Sequence, residues 1–377
     1  MKPKLLFIVN IDWFFLSHRL PIAIEALNQG YEVHVATGIS NKLEELRLHG
    51  FFVHQLPIGR GRTIFVNEVR AFWRILRVLI KIRPDVVHLV TIKPVLYGGI
   101  AARIASVPAV VAAISGLGFV FMAKGWRAAI TRFLVSCLYR ASLGKRNLKV
   151  ICQNPDDRET LMEIAHLPLE KVVMIPGSGV DLTTYKVMPL PQGVPVVIMA
   201  ARLLRDKGVN EFVAAAQMLA QRNVAVHFWL VGDPDPGNPA AITRDELSAW
   251  ENEGAVTILG YRSDIPNLFS KANIVVLPSY YGEGLPRTLV EAAACGRAVV
   301  TTDHPGCRDA IESGRSGLLV PVRNPLALAD AIQRLIDDPE LCQSMGQAGR
   351  ALAEREFSIV KIVDTHMKTY KELEEDK

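Results

Sequence analysis

Two glutamates, Glu283 and Glu291, stand eight positions apart around a Gly-Leu-Pro turn. The stretch Glu283-Gly284-Leu285-Pro286-Arg287-Thr288-Leu289-Val290-Glu291 follows an apolar run, 274–277, that reads as a buried strand. The spacing predicts a helix over 288–295, stopped by Gly296. Pro286 suits the first helical turn, where a missing N–H costs nothing. Amides near Leu285 and Arg287 then point out of the helix start and offer an anion or hydroxyl site. Carboxylates at a strand exit of an α/β sheet line the crevice where ligands bind, and each accepts several hydrogen bonds. The pair therefore suits a ligand rich in hydroxyls. Upstream, Ala201-Arg202-Leu203-Leu204-Arg205-Asp206-Lys207-Gly208 leaves another apolar run, 196–200. Its fixed cations suit a diphosphate and would neutralise it as a leaving group.

The first stretch resembles the glutamate-seven-glutamate signature of retaining glycosyltransferases of the GT-B fold, family four. The second is similar to that family's Gly-Arg-Leu…Lys-Gly loop, with Ala201 where glycine is usual. Pro176-Gly-Ser-Gly-Val-Asp181 is similar to its Asn-Gly-Val-Asp hinge. The resemblance covers nearly the whole chain. It implies an α/β protein of two Rossmann-like doubly wound domains facing across a cleft. It also implies retaining transfer of a hexose or N-acetylhexosamine from a UDP-sugar to a hydroxyl.

Carried over residue by residue, the resemblance has Arg202 and Lys207 hold the diphosphate. Glu283 holds donor-sugar hydroxyls, with Gly284, Leu285 and Pro286 beside it, and Glu291 holds the ribose. The backbone around Tyr261 and Arg262 reads the base. No side chain qualifies as a covalent nucleophile. Leaving-phosphate assistance is expected instead, with the acceptor attacking from the same face while the cleft excludes water. No metal and no other cofactor is implied. Asp233-Pro-Asp235 offers an Asp-x-Asp, but it sits in Pro- and Gly-rich turn material and is not read as a metal site.

Thr91-Ile-Lys93-Pro and Ser115-Gly116-Leu-Gly118-Phe look like the acceptor-side loops of a bacterial subgroup that extends polyprenyl-diphosphate-linked glycans. Lys93, Ser115 and Gly116 are thereby acceptor candidates. His18, expected at the start of the first helix, is a candidate for the cleft. Two departures from the family stand out. No histidine stands near Ser115, so none is carried over as catalytic. Asp12-Trp13-Phe14-Phe15 replaces a Gly-rich loop after the first strand, which disfavours a phosphate cradle there.

The elements that would position these residues alternate. Strand signals at 5–9, 32–36, 52–56, 86–90, 109–114 and 150–153 are separated by helical stretches at 20–28, 42–49 and 66–82. The pattern repeats from 196 onward, which argues two parallel sheets. A length of 377 residues also predicts two domains. The expected division is 1–183 for the acceptor, 184–358 for the nucleotide sugar, and a helix at 359–377 crossing back to the first domain. Strand 150–153 is taken as the last of the first domain, with a further strand at 172–175.

Half the residues are apolar and 21% are charged, so the chain is globular rather than disordered. Five scattered cysteines without a Cys-x-x-Cys fit a reducing cytoplasm and no zinc site. The uncharged stretch 104–122 is long enough to span a bilayer, but Ser106, Pro108, Ser115, Gly116 and Gly118 break it. Residues 1–150 hold 21 Lys and Arg against 7 Asp and Glu, which calls for an anionic partner. Two stretches, 66–82 and 124–149, set basic rows against apolar ones. In the first, Arg70, Arg74, Arg77 and Lys81 oppose Val69, Phe72, Trp73, Leu76, Leu79 and Ile80. In the second, Arg127, Arg132 and Arg140 oppose Trp126, Ile130, Phe133, Leu134 and Cys137. They are read as facing anionic lipid. The expected setting is a cytoplasmic enzyme, peripheral on the inner face of the membrane, with no nucleic-acid partner. Two rivals stay open: a nucleotide-sugar 2-epimerase of the same fold, and a non-catalytic membrane-surface scaffold. A nicotinamide-dependent dehydrogenase is disfavoured, because no Gly-x-Gly-x-x-Gly follows 5–9 or 196–200.

Overall fold

The computed structural model of the chain describes residues 2–38, 40, 42–58, 65–117, 125–235 and 237–376. Contacts divide it into two units, Met1–Ser178 with Val360–Lys377, and Gly179–Ile359.

In the first unit the described strands are β1 (Lys4–Ile11), β2 (Glu32–Gly38), β3 (Phe52–Gln55), β4 (Val86–Val90), β5 (Ala109–Ala113), β6 (Leu148–Cys152) and β7 (Val172–Met174). They pair in parallel in the order β3-β2-β1-β4-β5-β6-β7. β1, β4 and β5 are near-continuous runs of Val, Leu, Ile and Ala because both faces of a parallel sheet are covered by helices. The strand order reverses beside β1, the switch point where such sheets hold ligands. β7 corrects one expectation: β6 is not the last strand, since Val150 to Cys152 pair with Val172 to Met174. The short β7 thus becomes the edge strand on this side of the sheet.

The helix Ile359–Glu375 packs on this unit. The Tyr31 hydroxyl donates to Glu374 at 2.9 Å, and Asn147 donates to the Leu373 carbonyl at 2.8 Å. Beneath the helix lies a buried polar group of Arg19, His88, His366 and Tyr370. The Tyr370 hydroxyl is hydrogen-bonded to Nδ1 of His88. Burial pulls the Arg19 guanidinium down to about 10 and His366 down to about 3. It drives His88 well below its ordinary value and Tyr370 well above.

The second unit holds β8 (Val196–Ala200), β9 (His227–Val231), β10 (Thr257–Gly260), β11 (Ile274–Leu277), β12 (Ala298–Thr302) and β13 (Gly317–Val320). They run parallel in the order β10-β9-β8-β11-β12-β13, with the reversal between β8 and β11. Residues 179–183, expected at the end of the first domain, belong here. The Val180 amide donates to Phe357 at 2.8 Å, and Ile359 returns a bond to Val180 at 2.9 Å. The punctuated stretch that follows is also pinned within the unit. Buried Arg297 donates to the Met188 carbonyl at 2.8 Å, and Arg350 donates to the Tyr185 carbonyl at 2.8 Å.

Candidate active site

The second-unit residues gather at the carboxyl ends of β8, β9, β11 and β12. After β8 the chain makes a single tight turn, Arg205–Lys207, before the helix Val209–Gln221. Gly208, at φ +81, joins the two, and a Cβ there would collide with the Pro278 carbonyl. Only glycine lets the β8 loop lie against the β11 exit at this point. The Tyr280 amide and the Ser279 hydroxyl then donate to the Asp206 carbonyl at 2.9 and 3.3 Å. Lys207, carried on this turn, is only 7% exposed.

The β11 loop enters the helix Arg287–Ala294 one residue earlier than expected, with Pro286 in extended geometry as the N-cap residue. Thr288 Oγ1 ties the helix start to the Ala200 carbonyl at 2.8 Å. From the β12 side Gly306, at φ +82, seats against this loop. A Cβ there would lie 2.7 Å from the Glu283 carbonyl and would collide with that of Gly284.

These contacts bring the charges together in pairs. Lys207 donates to the Glu283 carboxylate. Arg202 donates to Asp235, at the β9 exit, at 3.0 Å. Arg287 Nε donates to Glu291 at 2.6 Å. The Tyr185 hydroxyl also bonds Glu291, and burial together with that charge raises the phenol well above its ordinary value. Burial pulls the Arg287 guanidinium down, but Glu291 and Tyr185 outweigh it and leave the value raised.

Four neighbours were not singled out as site residues beforehand: Asp235, Tyr281, Arg287 and Tyr185. The spacing of Arg287 and Glu291, one helical turn apart, was a usable signal. Nothing local marks Tyr185 or Tyr281, since each meets its partners only through the fold.

Tyr261 and Arg262 do not join this cluster. They leave β10, at the sheet edge and two strands from β8. Tyr261 is 73% exposed, and Arg262 forms a two-pronged pair with Asp264, both contacts at 2.7 Å. Asp264 occupies the N-cap position of the helix Ile265–Ser270 without a side-chain capping bond, because Arg262 and Asn267 hold its carboxylate.

In the first unit the candidates sit on separate strand exits. His18 closes the short helix Asp12–His18 rather than starting one, and its ring stacks on Phe14 at 4.1 Å. Asp12 is buried, and its carboxylate accepts from the Trp13 and Ser40 amides at 2.8 Å each and from the Lys42 amide at 3.2 Å. The Asp12 carboxylate thus takes up one amide of its own loop and two of the loop after β2. Lys93 pairs with Glu68 at 2.8 Å. Gly116 has φ +105 beside Ser115. Ser115 Oγ, Thr91 Oγ1 and Asn10 Oδ1 are buried with no hydrogen-bond partner. Ser115 and Thr91 follow β5 and β4, and Asn10 lies near the carboxyl end of the adjacent β1. Thr91 has φ +75, rare for a β-branched residue and typical of functional positions. Gly118, Lys124 and the Arg127 side chain lie outside the described residues.

In the two basic helices the apolar side chains divide between an inner and an outer face. In Phe65–Ile82 the inner face is Ala71, Ile75, Leu76, Val78, Leu79 and Ile82, while Val69, Trp73 and Ile80 are exposed. Arg70, Trp73, Arg74 and Arg77, with Gln55, Leu56 and Pro57, line a 590 Å³ groove beside β3. In Trp126–Leu143, Trp126, Ile130, Phe133 and Leu134 face outward, with Trp126 69% and Phe133 66% exposed. Tyr139, Ser142 and Leu143 fill the inner positions instead. Among the described residues no helix is long and apolar enough to cross a membrane.

Residues 184–352 match the family model described as glycosyl transferases group 1, and residues 4–158 match that of glycosyl transferase 4-like proteins. The chain is 31% identical to an N,N'-diacetylbacillosaminyl-diphospho-undecaprenol alpha-1,3-N-acetylgalactosaminyltransferase of Campylobacter jejuni, over 87% of this chain and 90% of that protein. It is 26% identical to a UDP-Gal:alpha-D-GlcNAc-diphosphoundecaprenol alpha-1,3-galactosyltransferase of Escherichia coli, over 89% and 88%. Among solved structures, sucrose-phosphate synthase from Thermosynechococcus elongatus superposes with a TM-score of 0.81 at 21% identity, covering 100% of both chains. HepE from Anabaena, in complex with UDP and glucose, gives 0.76 at 22% identity, covering 98% of this chain and 99% of that one. These likenesses establish the two-sheet GT-B fold.

Proposed function

The chain belongs to the group 1 glycosyl transferases, and on that footing we propose that it moves a hexose or N-acetylhexosamine from a UDP-sugar to a polyprenyl-diphosphate-linked saccharide in surface-glycan assembly. The carrying observation is the ion pair of Lys207 and Glu283 between the ends of β8 and β11, with Arg202 on the same β8 loop and Glu291 on the helix that follows β11. Arg202 and Lys207 hold the donor diphosphate. Glu283 accepts from sugar hydroxyls beside Gly284, Leu285 and Pro286. Glu291, oriented by Arg287 and Tyr185, accepts from the ribose. The loop with Tyr261 and Arg262 takes the base through its backbone.

The acceptor hydroxyl attacks the anomeric carbon on the face from which the diphosphate leaves. The bond to the diphosphate oxygen breaks, the bond to the acceptor oxygen forms, and the hydroxyl proton passes to the departing diphosphate. The configuration is retained. Arg202 and Lys207 neutralise the charge that develops, so no metal is invoked. Lys93, Ser115, Gly116 and His18 are assigned to the acceptor side. The unsatisfied oxygens of Ser115, Thr91 and Asn10 support a polar ligand at those strand ends. The arginines that line the 590 Å³ groove and the outward apolar row of Trp126–Leu143 support attachment to an anionic membrane surface, on the cytoplasmic face of the inner membrane.

Mass spectrometry of a polyprenyl-diphosphate-linked disaccharide incubated with a panel of UDP-sugars tests the reading. One added sugar mass with one donor is the expected result. Formation of an epimerised donor without acceptor would replace this reading with the epimerase.

A further inference from the structure

The donor-site cations share a seat. The Arg202 guanidinium carbon lies 5.9 Å, and Lys207 Nζ 5.3 Å, from the centroid of the half-buried Tyr281 ring. Both fall within the range over which a ring face attracts a cation. Two like charges on one ring repel each other, and each is balanced on a different side, Lys207 by Glu283 and Arg202 by Asp235. A third carboxylate between them would cancel their charge and take up their N–H donors. An aromatic face attracts both cations and accepts few of those donors, so the N–H groups stay available to phosphate oxygens. Tyr281 is itself held in the loop: its amide donates to Ser279 Oγ at 3.2 Å, and its carbonyl accepts from the Glu283 amide at 2.8 Å.

We infer that Tyr281 is a positioning residue, whose ring sets the separation and direction of Arg202 and Lys207 for a diphosphate. This rests on the reading that these cations take the donor diphosphate. The ring, not the hydroxyl, carries the role.

Calorimetry with UDP and with uridine, on the full chain, tests it. Wild-type protein that binds UDP satisfies the underlying reading independently of Tyr281. Tyr281→Leu is then expected to weaken UDP about tenfold, from the loss of two cation–ring contacts, while uridine binding stays within twofold. Tyr281→Phe should restore UDP affinity to within about threefold of wild type, since the ring face remains. If Tyr281→Leu does not fold, Tyr281→Ser serves in its place, with uridine binding as the check on folding. Unchanged UDP affinity in the ring-less variant overturns the inference. An equal loss for UDP and uridine would make Tyr281 a nucleoside contact instead. A Phe variant as weak as the Leu variant would transfer the role to the hydroxyl.

Discussion

Lys207 and Glu283, 76 residues apart in the chain, form a hydrogen-bonded ion pair that joins the β8 loop to the β11 loop. The pair is largely withdrawn from water, with side-chain exposures of 9% and 21%. It places a cation and a hydroxyl acceptor side by side. A donor with a diphosphate next to a sugar needs that juxtaposition.

Replacing either partner should therefore abolish transfer while the fold survives. Glu283→Gln and Lys207→Ala are each expected to lower kcat/KM by about a hundredfold or more, as for the loss of one preorganised charged contact in a transition state. Stability should fall by about 1–3 kcal/mol, because a partly buried charge loses its partner. Radiolabelled sugar transfer, with thermal melting alongside, measures both. Near-normal turnover in either variant removes that assignment.

Arg202 pairs with Asp235 through one contact at 3.0 Å, so part of its guanidinium remains for a ligand. Arg202→Ala should weaken UDP about tenfold to a hundredfold while leaving uridine unaffected, since charged hydrogen bonds are worth about 1.5–3 kcal/mol each. The ion pair with Asp235 is too exposed for its loss to shift the melting temperature much. Calorimetric titration with both ligands distinguishes the outcomes.

Gly306→Ala is expected to act through Glu283. The added Cβ would press on the carbonyls of Glu283 and Gly284, at a positive φ that alanine adopts only with strain. The cost should be about 2 kcal/mol or more, with transfer reduced below what unfolding explains. Turnover per folded molecule, measured well below the melting temperature, is the check. Full activity per folded molecule would show that the loop tolerates displacement.

The buried group under the C-terminal helix predicts a pH dependence in the first unit. Histidine titrates near 6.5 in the unfolded chain, and burial brings His366 down to about 3 in the fold, with Arg19 adding repulsion. His88 is lowered in the same way. Below 6.5 the unfolded chain binds protons that the folded unit refuses. Stability is complete above that pH and is lost as the pH falls toward about 3, by about 1.4 kcal/mol per pH unit for each histidine. Melting curves between pH 7 and pH 4 should flatten in His366→Gln. An unchanged slope in that variant refutes the account.

The arginines along the 590 Å³ groove should bind anionic vesicles. Flotation with phosphatidylglycerol vesicles is expected to carry the wild type upward at low salt. Binding should be lost on combined reversal of Arg70, Arg74 and Arg77 to glutamate. Flotation unchanged by high salt and by charge reversal would leave these helices as ordinary solvated surface.

Local sequence was enough for most of the elements and for placing Arg202, Lys207, Glu283 and Glu291 at strand exits. Short apolar runs such as 196–200 and 274–277 fit covered strands, and their alternation with helical stretches argues parallel sheets. The glutamates, Arg202 and Lys207 could be singled out because the resemblance and the loop positions marked them. Which apolar residues of the helices face inward could not be read this way. Trp126 and Phe133 repeat at helical spacing like a core stripe, but they face outward while Tyr139 and Leu143 fill the inner side of the helix. Periodicity defines a face without saying what lies opposite it. The pairing of Lys207 with Glu283 and of Arg202 with Asp235, the approach of both cations to the Tyr281 ring, and the hold of Tyr185 on Glu291 required the tertiary structure. Arg202 and Lys207 leave β8, Asp235 leaves β9, and Tyr281 and Glu283 leave β11. Close backbone contacts at Gly208 and Gly306 hold the β8, β11 and β12 loops against one another.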